Sequence, residues 1–221
     1  MGHAIDNLRN KIEQLHKTSI DGADFFDPQD IKDLLTREAI ALAIQECFIP
    51  DHQQPSIADR IFMEGQIVFG ILVWKKWQHK IMNFIDRNAL DNELPFDVTR
   101  AREIVDSVGW EFAEKVQWAF LPRMLKKEMS RYHCEFRKEE ILPFISETAL
   151  GEGSFGVVSR VSVLPSLQTF FPQPVRSLAK SSSYRALITL PDVRGFHSQE
   201  EASVSKHAIR RKVYRKGARM P

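Results

Sequence analysis

The sequence predicts a mainly α-helical chain: a helical N-terminal domain, then a small β-hairpin of α+β character, then a flexible basic tail. Three observations carry this. Apolar residues recur at helical spacing from Ile5 to about Trp118. Val157, Val158, Val161 and Val163 follow directly on three closely spaced glycines, and a β-branched run after a glycine turn favours two strands over a strand and a helix. Charge then changes character near the C-terminus, with eleven Lys or Arg against three Asp or Glu from Arg176 to Pro221, a net of +8 that leaves −6 for the first 175 residues. The expected boundaries are 1–140 for the helical domain, 141–190 for the hairpin region and 191–221 for the tail.

Ile5, Leu8, Ile12 and Leu15 lie on one face of a first amphipathic helix, with Asp6, Arg9, Lys11 and Glu13 on the other. Thr18 to Asp27 reads as loop. Asp27-Pro28 starts a short helix to about Leu35, since aspartate accepts orphan N–H bonds and proline at the first position needs none. Thr36-Arg37-Glu38 restarts the pattern, with Ile40, Ala43, Ile44 and Cys47 inward, and Asp51 to Pro55 reads as polar loop. The stretch from Ile57 to Asn88 is the most apolar in the chain and predicts two or three helices at the centre of the core. Leu94-Pro95-Phe96 breaks it. Ala101 to Val108 and Gly109 to Trp118 read as two further helices, which Pro122 ends because it has no N–H to give the preceding turn. Lys126 to Glu140 reads as a surface connection into the hairpin, Ile145 to Val163.

At 221 residues, 43% apolar and 27% charged, the composition is that of a globular chain. The longest apolar run, Ile67 to Trp74, is far too short to span a bilayer, so no membrane partner is expected. The N-terminus lacks both a myristoylation pattern and a basic-then-apolar leader, and the expected location is intracellular, cytoplasmic or nuclear. Two cysteines, Cys47 and Cys134, suit reduced thiols better than a disulfide framework. His133 beside Cys134 does not make a four-ligand metal site. Trp74, Trp77, Trp110, Trp118 and Phe120 read as core rather than as a ligand box, and Lys75-Lys76 as a solvated face.

The chemistry concentrates in Leu150 to Val163, L-G-E-G-S-F-G-V-V-S-R-V-S-V. Gly151, Gly153 and Gly156 form G-x-G-x-x-G; without a Cβ such residues let backbone N–H groups approach an anion closely. With strands on both sides and Val158 completing G-x-G-x-x-G-x-V, the stretch resembles the start of a protein-kinase small lobe, the hairpin over the phosphates of ATP. The order F-G-I-L-V-W, L-P-F-D, V-Q-W-A-F-L-P, I-L-P-F-I and L-G-E-G-S-F-G is similar to the N-terminal part of protein kinase-like proteins of filamentous fungi, over roughly residues 5 to 165. The resemblance implies that Leu150 and Val158 wall an adenine pocket. It also implies that the backbone of Gly151, Glu152, Gly153, Ser154, Phe155, Gly156 and Val157 covers phosphates, with Phe155 at the tip, and that ATP is the cofactor, with Mg2+.

Phosphoryl transfer in that family also needs a third-strand lysine, a helix glutamate, an H-R-D loop with its asparagine, and D-F-G. The chain contains no H-R-D, D-F-G or A-P-E. Lys180, in S-L-A-K, is the candidate for the lysine, with Glu200 or Glu201 as its pair, although the better strand by propensity is Tyr184 to Leu190, which has no lysine. The tail carries Lys206, Arg210, Arg211, Lys212, Arg215, Lys216 and Arg219; one Tyr214 offers little stacking surface, which weighs against a nucleic-acid partner. The expectation is a nucleotide-binding protein resembling a truncated serine/threonine kinase, catalytically incomplete. The alternative is a non-enzymatic helical module that binds a protein partner and carries a vestigial hairpin.

Overall fold

The computed structural model describes residues 3–126, 136–153, 156–169, 184–190, 200–202 and 211–213. The chain is mainly helical with small antiparallel sheets, and it divides into two compact units. One comprises Met1–Lys17 and Asp24–Leu121; the other comprises Thr18–Ala23 and Pro122–Pro221. The helical unit thus ends at Leu121, ahead of the expected 140.

In the helical unit, α1 (His3–Gln14) turns Ile5, Leu8 and Ile12 inward. Asp27 caps α2 (Pro28–Leu34) by accepting from the Gln29 N–H at 2.9 Å, and Thr36 caps α3 (Arg37–Ile44) by accepting from Ala39 at 3.2 Å. The polar stretch expected as loop up to Pro55 is shorter: α4 (Gln54–Glu64) begins at Gln54, because Pro55 falls in the first turn where no N–H is needed. In α5 (Gln66–Trp74), Ile67 to Val73 are all buried, so this helix is the centre of the core. It ends in a Schellman turn, with Lys76 at φ 62 and the Trp77 N–H on the Leu72 carbonyl at 2.7 Å. The same turn closes α6 (Ile81–Asp86), with Asn88 at φ 53 and the Ala89 N–H on Phe84 at 2.8 Å.

The two helices expected after Pro95 meet elsewhere than the sequence suggested. Asp97 caps α7 (Val98–Glu111), and the break falls inside it, at Val105 (φ −138, ψ 48), rather than before Gly109. That kink brings Gly109 so near the preceding turn that a Cβ on it would lie 2.6 Å from the backbone of Arg102. A π-helical turn, Phe112–Val116, leads into α8 (Gln117–Phe120). Gln117 is fully buried and holds both the N–H and the carbonyl of Phe96, at 2.9 and 2.8 Å. Phe26, Trp74 and Phe120 form one aromatic cluster, and Phe84, Phe96 and Phe112 another.

Two readings of single side chains need correction. Trp110 is 47% exposed, with the Lys115 ammonium 4.9 Å above its ring, so it is not core. Lys75 is not simply solvated: it is held 3.0 Å from Glu111, over the rings of Trp74 and Trp77. Trp74, Trp77, Trp118 and Phe120 do pack in or against the core.

In the other unit, β1 (Phe144–Gly153), β2 (Gly156–Val163) and β3 (Tyr184–Leu190) form an antiparallel sheet in that order. Phe144, Val161 and Val163 are buried with Leu125, Leu142 and Leu167. The segment after Pro122 is tied in by the Arg123 N–H on Ile141 and by Leu125, which lies parallel to Gln168. Within 191–221, β4 (Glu200–Ala202) pairs antiparallel with β5 (Arg211–Val213). The other residues of that expected tail lie outside the described residues, as does Cys134.

Candidate functional site

The glycine stretch sits at the turn of the β1–β2 hairpin. Gly153 pairs directly with Gly156, and only Ser154 and Phe155, both outside the described residues, separate them. The third glycine opens a strand, Gly156–Val163, rather than a helix. Register runs Gly153↔Gly156, Glu152↔Val157, Gly151↔Val158 and Ala149↔Ser159, so Leu150 is an extra residue with no partner of its own. Such a bulge bends the strand and re-aims it. Leu150 is 45% exposed, a large apolar side chain held in the open beside the glycines.

The strand β3 completes the other side. Val157 pairs with Leu190 and Val158 with Thr189, so the C-terminal end of β3 lies beside the glycine turn, while Tyr184 lies beside Val163 at the far end. Tyr184–Leu190 contains no lysine. Lys180, four residues before that strand, lies outside the described residues. The structure therefore brings Leu150, Gly151, Glu152, Gly153, Gly156, Val157 and Val158 into one hairpin, and it supplies no third-strand lysine beside them.

Elsewhere, among the described residues, no group of three His, Cys, Asp or Glu side chains could hold a metal ion. Cys47 is buried and donates to the Ala43 carbonyl; burial, with the nearby Glu46 charge, pushes its thiol up to about 11, so it is a poor nucleophile. A cleft of about 440 Å³ in the helical unit is lined by Lys32, Gln66, Asn88 and Asp91 among others. Asp91 there has a structural task. It accepts the Ile67 and Val68 N–H groups, both at 2.9 Å, and so caps α5; burial raises its pKa, and those two bonds oppose the rise. No sequence signal pointed to it, because it stands 24 residues after Ile67, whose N–H it accepts.

No protein-family model, curated protein or solved structure matches the chain. What the fold defines is a mainly α chain with a small glycine-turned antiparallel sheet. Among the described residues no helix is long and apolar enough to cross a membrane.

Proposed function

We propose that the β1–β2 hairpin binds ATP through its glycine turn and that these 221 residues do not transfer its phosphate. The observation that carries this reading is the direct Gly153↔Gly156 pair at the tip of a strand–turn–strand backbone, the geometry in which successive glycine N–H groups can face an anion. In this reading Leu150 and Val158 contact the adenine, residues 151 to 157 cover the phosphates, Phe155 shields the tip and Mg2+ accompanies the nucleotide. Lys180 is the cation proposed to reach the phosphates. Transfer needs carboxylates on magnesium and a side chain on the acceptor hydroxyl. Of the only acids after Val163, Asp192, Glu200 and Glu201, none stands in such a motif.

A second reading, a helical interaction protein with a vestigial hairpin, is favoured by the lack of a lysine on β3. Calorimetric titration decides between them. Saturable heat is expected with ATP and with a non-hydrolysable analogue alike, with no ADP formed, and Gly153→Val should abolish it by placing a branched side chain where phosphate approaches. No saturable heat with or without magnesium, or an unchanged isotherm for Gly153→Val, would leave only the second reading.

A further inference from the structure

The strand register sorts the charges of the three-stranded sheet. Val161 and Val163 of β2 are buried, so the alternate residues Val158, Arg160 and Ser162 belong to the strand's other face, where Arg160 is exposed. Residues directly opposite one another share a face. The Val158 face therefore carries Arg160, opposite Thr148 and Leu187, and Arg185, opposite Ser162; its paired positions include no acid. Gly151, opposite Val158, belongs to the same face. The paired positions of the other face carry Glu147 and Glu152 and no Lys or Arg. An anion is drawn to the first face and repelled from the second.

Of the two arginines, Arg160 is the closer to Val158. It stands two residues further along β2, about 7 Å, on the side away from the glycine turn. Among the described residues no carboxylate pairs with its guanidinium. With phosphates at the turn and a base on Val158, the base lies between the glycines and Arg160. A guanidinium is a fork of donors with no acceptor. Guanine offers two acceptors on one edge, N7 and O6, whereas adenine offers the N7 acceptor beside the N6 amino donor. The fork matches the first edge and meets a donor on the second.

We propose that Arg160 sets the base preference of the hairpin by donating to N7 and O6 of a guanine held on Val158, so that the site takes guanine nucleotides in preference to adenine nucleotides. The proposal rests on the reading of the hairpin as a nucleotide site. Its test is calorimetric titration of the whole chain, with magnesium, by GTP and by ATP in turn. GTP should bind about tenfold more tightly, the scale of one bidentate pair. Arg160→Gln should invert the order, because a carboxamide matches N7 and N6 of adenine, and a gain in ATP affinity cannot be loss of fold. Arg160→Lys should keep GTP ahead, and Glu147→Gln, on the opposite face, should leave the ratio unchanged. Equal affinities in the wild type, or a ratio unchanged by Arg160→Gln, would overturn the proposal. Equal weakening of both nucleotides in Arg160→Gln would overturn it too, as the mark of a cation that serves any phosphate. Tighter binding of ATP than of GTP by the wild type would overturn this inference and leave the ATP reading in place, whereas no binding of either nucleotide would overturn both.

Discussion

Cys47 illustrates how much of a residue's chemistry comes from its surroundings. Its neighbours in sequence identify an inward-facing thiol, and the fold adds a consequence for pH. The native thiol keeps its proton up to about 11, while an exposed thiol loses it near 9.0. Between those values the unfolded chain binds fewer protons than the native one, so this contribution to stability is complete below 9.0 and declines as pH rises toward 11. Urea denaturation of a Cys134→Ser background should show stability falling more steeply from pH 8 to 10.5 than in the same background with Cys47→Ala. Equal slopes would mean that the thiol is accessible. The Asp27 cap was legible at this scale, because it acts on an N–H two residues on. The Asp91 cap was not, because nothing in a sequence window links it to Ile67 and Val68.

Elements were legible where their cause is local. The valine run after the glycines specified β2, and the β-branched and aromatic content of Tyr184 to Leu190 specified β3. Proline at Leu94-Pro95 and Pro122 marked true ends. The kink in α7 was misplaced because a glycine at 109 looks like a helix break, whereas its task is to let two backbone segments touch. Gly109→Ala should therefore cost about 1–3 kcal/mol, the range for forcing atoms into a packed site, because the new methyl would meet backbone rather than a movable side chain. A urea midpoint unchanged from wild type would show that the Gly109 and Arg102 backbones are further apart than described. Trp110 was misread for a related reason: periodicity identifies a face, and the bend at Val105 and the π turn after it shift which face is inward.

At the scale of the whole molecule, the mainly helical class was legible because long apolar periodicity survives errors at any single position, while the division at Leu121 was not, since Leu125 is tied by backbone hydrogen bonds to Leu167 and Thr169, far along the chain. The glycine turn belongs to the unit that contains the sheet and not to the helical unit, so the place where nucleotide acts is itself a test. The most direct measurement is amide chemical-shift mapping of the whole chain with magnesium and ADP. Saturable shifts are expected at Gly151 to Gly153, at Gly156 to Val158 and at the Leu190 end of β3, with the amides of 24–121 undisturbed. No shift at millimolar nucleotide, or shifts confined to the helical unit, would contradict ATP binding by the hairpin.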